Sequence, residues 1–171
     1  MRKQKMLRPQ DIVLAVKLAV AKEKGMQPME LARELVISQA EVYNSLERLR
    51  ESKLIDSENR PILRSLRNLI VHGLPFIYPA ELGPVERGIL VAHSGPILNK
   101  EFKPSGMDKV VWSDPEGKDS GQSIKPLFKS IPQASKRDKK LYEVLSLIEA
   151  LRVGRVRERK SAERHLQEAL A

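Results

Sequence analysis

The sequence predicts a mainly α fold with a small β component, on three observations. Apolar residues recur at intervals of three and four over residues 9–71 and again from residue 137 onward, which is the periodicity of a helix with one buried face. The stretch between them, residues 73–136, holds nearly all the glycine and most of the proline, with short apolar runs of strand length. The 171 residues are 41% hydrophobic and 31% charged, enough apolar mass for a core and too much for a disordered chain.

The elements follow in order. Pro9 suits a first helical turn, and Ile12, Val13, Val16 and Val20 continue at helical spacing until Gly25. Residues 28–35 read as a short helix opened by Pro28. After a break at Val36-Ile37-Ser38, residues 39–52 read as a third helix, with Ser38 and Glu41 in the spacing of a capping box. Leu54-Ile55 reads as a short strand or exit and 56–59 as a turn. Residues 61–71 read as a helix with Ile62, Leu66, Leu69 and Ile70 on one side. In the middle, Phe76-Ile77-Tyr78, Ile89-Leu90-Val91 and Val110-Val111-Trp112 read as strands, and residues 115–122 as a polar, mobile segment. From residue 137 the chain turns helical again. Leu141, Leu145, Ile148 and Leu151 form a stripe, and Gly154 separates it from a second helical stretch reaching Leu170. The stripe needs a cover, either the first helix of the same chain or a second subunit.

The strongest constellation is residues 29–55. Leu31, Ala32 and Leu35 face inward from one helix, and Val42, Leu46 and Leu49 from the next. A turn of about three residues forces the two helices to cross steeply, as a helix-turn-helix requires. On LAREL, the turn Val36-Ile37, Ser38, Val42, Leu46, Leu49 and the exit RESKLI, the chain resembles the winged helix-turn-helix transcription regulators of bacteria and archaea, including the MarR-like group. With the first helix, the resemblance spans about residues 9–55. It departs from the family pattern at Val36 and Lys53, where that pattern places glycine or asparagine.

The resemblance implies a winged helix-turn-helix DNA-binding region over residues 1–72, followed by the Gly/Pro-rich segment 73–136 and C-terminal helices over 137–171. It implies a DNA-binding transcription regulator that acts as a homodimer on double-stranded DNA. On the helical wheel, Ala40, Asn44, Glu47, Arg48 and Glu51 point outward, with Gln39 and Tyr43 on a flank. Asn44 and Gln39 suit adenine, Arg48 suits guanine or phosphate, Ala40 a thymine methyl, and Ser38 and Tyr43 phosphate oxygens. Glu47 and Glu51 oppose phosphate. Either Arg60 and its neighbours form a minimal wing, or the hairpin is displaced to residues 77–93 with Arg87 near its tip.

Lys plus Arg outnumber Asp plus Glu by 31 to 22, giving +9, which suggests an anionic partner. Arg2, Lys3, Lys5 and Arg8 concentrate charge at one end. Arg152, Arg155 and Arg159 fall on one helix face at the other, where they contact DNA phosphate, bind a protein partner, or form a solvated face. The protein-partner option defines the alternative function, an interaction module built on a helix-turn-helix scaffold. With no cysteine, disulfides, Cys-ligated metals and thiol nucleophiles are excluded. His93-Ser94 lacks the surroundings of a hydrolase elbow, and no phosphate-binding or dinucleotide fingerprint occurs, so no enzyme and no cofactor are expected. Without a signal-type or membrane-length apolar run, the expected location is cytoplasmic, with no membrane partner.

Overall fold

The computed structural model describes residues 5–22 and 25–171. Among the described residues it is mainly helical, with three strands of nine, four and six residues. Helix α1 (Pro9–Ala21) opens on Asp11, whose carboxylate accepts from the Arg8 backbone N–H at 2.8 Å. Every residue from 11 to 20 is buried, so α1 is a core helix rather than a surface one. Helix α2 (Pro28–Leu35) starts on its proline and ends where Val36 turns left-handed, at φ 56°. Helix α3 (Gln39–Glu51) is capped by Ser38 Oγ, which accepts from the Glu41 N–H at 3.1 Å. Only that half of the expected capping box forms, because the Glu41 side chain turns to Arg48 and Gln10.

Lys53, at φ 57°, ends the third helix with a second left-handed residue. The chain then doubles back through a single antiparallel bridge, Ile55 to Pro61. Asp56 shapes this small hairpin by accepting from the N–H groups of Glu58 and Arg60, both at 2.8 Å. Helix α4 (Leu63–His72) buries Leu66 and Ile70, whereas Ile62 stays outside it and exposed. Phe76 and Ile77 do not form a strand: Leu74–Ile77 is a one-turn helix, α5, because Pro75 fits a helical first turn.

Three strands close into a small ring in which each pairs with the other two: β1 (Leu82–Leu90), β2 (Val110–Ser113) and β3 (Asp119–Ile124). β1 runs antiparallel to both partners, and β2 runs parallel to β3. Gly88 sits at the changeover, opposite Ser113 on one side and Asp119 on the other. A Cβ there would lie 1.9 Å from the Trp112 carbonyl oxygen, so only glycine lets the strands approach. The segment read as mobile is in part β3. Between β1 and β2 lie a turn at residues 92–94 and the short helix α6 (Asn99–Phe102).

Helices α7 (Ile131–Ser135), α8 (Lys139–Val153) and α9 (Val156–Ala169) complete the chain. α8 is the central element. Leu141, Val144, Leu145, Leu147, Ile148, Ala150 and Leu151 are all buried on it, and α1, α5, α7 and α9 pack around it. Its stripe is therefore covered within the chain. Gly154 allows the tight passage into α9, since a Cβ there would meet the Ala150 carbonyl at 2.3 Å. One continuous hydrophobic core runs from α1 through the strands to Leu170. Among the described residues, no helix is long and apolar enough to cross a membrane.

Candidate nucleic-acid interface

Helix α3 is held from behind by Val42, Leu46 and Leu49, all buried, against α1 and α2. Its first half therefore presents a fixed face. Ser38, Gln39, Ala40, Tyr43 and Asn44 are exposed, Tyr43 by 56%. They share one side at the helix N-terminal end, as the wheel requires, and offer amide, methyl and hydroxyl groups. Ser38 uses its oxygen as an acceptor for the cap, which leaves its O–H free to donate. Glu47 and Glu51 are half-buried, and Lys5 reaches Glu47 at 2.5 Å, which mutes that carboxylate. Arg2 and Lys3 lie outside the described residues.

Arg48 is not on this face. It is 4% exposed and donates through Nε and Nη2 to both oxygens of Asp11 at 2.7 Å, while also bonding Glu41 and Ser45. The wheel misplaced it because α1 packs against the flank of α3 that carries Glu41, Ser45 and Arg48, widening the buried side beyond its apolar stripe. Asp11 is fully buried, so this bidentate pair is what allows a charge there. Its hydrogen bonds to Asp11 hold the Arg48 guanidinium above its ordinary pKa, against the opposing pull of burial. For Glu41, burial pushes upward, but bonds from Arg48 and Gln10 prevail and hold it below the usual carboxylate range.

A second buried clamp fixes α1 and α2 to α8. Lys17 lies between Glu34 and Asp138, the latter at 2.6 Å, and Asp138 also caps α8 by accepting from Leu141 N–H. Burial works against the Lys17 ammonium, yet its bonds to the two carboxylates raise it above the ordinary value. Asp11 and Lys17 did carry a signal in the sequence: they are charges inside a helix otherwise apolar on every side.

The remaining expected site residues divide. Arg87 is exposed but lies mid-strand in β1, opposite Ser120, so residues 77–93 form no hairpin and Arg87 is at no tip. The minimal hairpin at 55–61 is the one present. Arg152 is buried and cannot meet phosphate or a partner. It donates to Glu149 at 2.6 Å, to the Tyr78 carbonyl at 2.9 Å and to the Lys125 carbonyl at 3.3 Å. Glu149, fully enclosed, also accepts from Trp112 Nε1 and Leu127 N–H. Burial raises its carboxyl despite Arg152. Arg155 and Arg159 are exposed, Arg159 with Nε on the Gly154 carbonyl, so the expected face of three arginines reduces to two. His93 and Ser94 serve the loop: His93 Nε2 donates to the Asp108 carbonyl at 2.6 Å, and Ser94 Oγ accepts from Val110 N–H.

No family model, no curated protein and no solved structure matches this chain.

Proposed function

We propose that this chain is a sequence-specific DNA-binding transcription regulator of the winged helix-turn-helix type, with α3 as its recognition helix. The carrying observation is the solvent-facing set Gln39, Ala40, Tyr43 and Asn44 at the N-terminal end of a helix braced from behind. That end of a recognition helix meets base edges in the major groove. Asn44 and Gln39 supply the paired donor and acceptor that match adenine, and Ala40 supplies contact with a thymine methyl. Ser38 and Tyr43 hold the backbone in register. Residues 55–61 would be a stub wing. The mechanism is binding, with no covalent step.

The homodimer implied by the resemblance would need a face other than α8, whose apolar side is filled from within the chain. The second reading, a protein-interaction module, rests on the exposed Arg155 and Arg159 of the α9 end.

The test is fluorescence anisotropy with duplexes from the upstream region of the protein's own coding sequence, beside shuffled duplexes, at several salt concentrations. A preference that survives at about 0.15 M salt is expected, and Gln39→Ala with Asn44→Ala should abolish it while the protein stays folded. Equal binding to both duplexes that vanishes with salt would remove the regulator reading.

A further inference from the structure

The stub wing is poorly built for phosphate. Its one cation, Arg60, pairs with Glu58 at 2.5 Å, and Asp56 adds a further negative charge. If α3 enters a groove, backbone affinity has to come from elsewhere on the molecule, and a flank beside the turn before α3 is placed to supply it.

Residues 129–137 are pinned onto the C-terminal end of α2. Ser130 Oγ donates to the Leu35 carbonyl at 2.7 Å, and Arg137 Nη1 donates to the Arg33 carbonyl at 2.8 Å. These bonds satisfy carbonyls that the end of a helix leaves open. They also fix three exposed cations, Arg33, Lys129 and Arg137, beside the turn that leads directly into the exposed end of α3.

Apart from Glu30, one turn back from Arg33 on α2, the nearby acids are already engaged. Glu34 and Asp138 hold Lys17, and Asp114 and Glu116 share Lys136, at 2.5 and 3.4 Å. Among the described residues, Arg33 and Lys129 form no ion pair, and Arg137 bonds only a backbone carbonyl, with four of its five N–H groups unassigned. The positive charge on this flank is thus free to act outward, which the wing's is not.

We propose that Arg33, Lys129 and Arg137 form a phosphate clamp that grips the DNA backbone alongside the groove entered by α3. This rests on the DNA-binding reading above and adds to it a contact surface drawn from far along the chain. The segment that precedes α8 becomes part of the interface, and the clamp reads no sequence.

The experiment measures the salt dependence of duplex affinity for the full chain between about 50 and 200 mM salt, on a labelled mixed-sequence duplex. Arg33→Ala with Lys129→Ala removes two cations that hold no side-chain bond among the described residues, so the fold should persist, as a thermal melt would verify. The slope of log affinity against log salt is expected to shrink by about 1.8, or about 0.9 per lost phosphate contact, equally on every duplex. Lys129→Arg should retain the parent slope. An unchanged slope in the double variant, with the parent chain binding DNA normally, overturns the clamp and leaves the recognition helix standing. Failure of the parent chain to bind any duplex at low salt overturns both.

Discussion

Arg48 and Arg152 carry full charges almost out of reach of water, so their substitution should be read in stability, not in ligand affinity. Arg48→Ala would strand the fully buried Asp11, and Arg152→Ala would strand Glu149. Breaking a buried pair in this way costs about 3–5 kcal/mol, because the partner keeps its desolvation penalty without its compensation. Urea unfolding should show that loss for both variants. Asn44→Ala and Arg155→Ala, on exposed side chains, should stay within about 0.5 kcal/mol of the parent. Similar small losses at all four positions would mean that the two internal pairs contribute little. At this scale the sequence was only partly legible. Gln39, Ala40, Tyr43 and Asn44 lie where the wheel puts them, but a wheel drawn for one helix cannot show a second helix packed on its flank, and α1 decides the fate of Arg48.

At the scale of the element, the junction between α2 and α3 is bent by residues poorly suited to it. Val36 is β-branched and left-handed, a conformation that costs an ordinary residue roughly 1–2 kcal/mol. Its side chain is 39% exposed, so little packing would be lost by replacing it. Asn tolerates this region, and Val36→Asn should stabilise the protein by about 1 kcal/mol, seen as a raised thermal midpoint. A lowered midpoint would show that the valine methyls matter more than the strain. Val36 stood out in the sequence as a departure from the pattern the chain resembles, and it takes a left-handed conformation without being glycine. The strands were harder to read. β1 contains Gly83, Pro84 and Gly88, and β3 reads Asp-Ser-Gly-Gln-Ser-Ile, so neither has the composition of a strand. They exist because each finds two partners in a closed ring, which is non-local information. Phe76-Ile77 fails in the opposite sense: its β-favouring side chains yield to Pro75 at the start of a helical turn.

The whole molecule is tied together by ionisable groups whose shifts set how stability varies with pH. Burial pushes the Asp138 carboxyl up, but Lys17 and the α8 N–H groups hold it below its ordinary value. A bond from Lys136 lowers Asp114, and Glu41 is lowered by Arg48 and Gln10. Carboxyls depressed in the folded state add stability that is present above their unfolded values, near 4, and is lost as pH falls through the folded ones. Tyr142, half-buried with its O–H donating to the Leu90 carbonyl at 2.5 Å, is pushed up to about 12, chiefly by desolvation. That contribution is complete below about pH 10 and is lost between roughly 10 and 12, as the unfolded phenol ionises first. Lys17, also raised, loses its share as pH rises through its folded value. Glu149, raised by burial, acts against the acid-side trend. Urea midpoints measured across pH should therefore fall on both the acid and the strongly alkaline side of a neutral plateau. A midpoint level from pH 7 down to about 2 would show that the lowered carboxyls add no more to the fold than Glu149 takes away.

The central position of α8 also sets a timetable for synthesis. α1 ends at residue 21 and meets α2 and α3 soon after, but its other partner, α8, begins only at residue 139. At a ribosomal rate of about 5–20 residues per second, α1 leaves the peptidyl transferase centre on the order of ten seconds before its cover does. Through that interval the side of α1 that meets α8 lacks its cover, with Lys17 still waiting for Asp138, and a nascent chain arrested before α8 should be bound by holdase chaperones and released when α8 emerges.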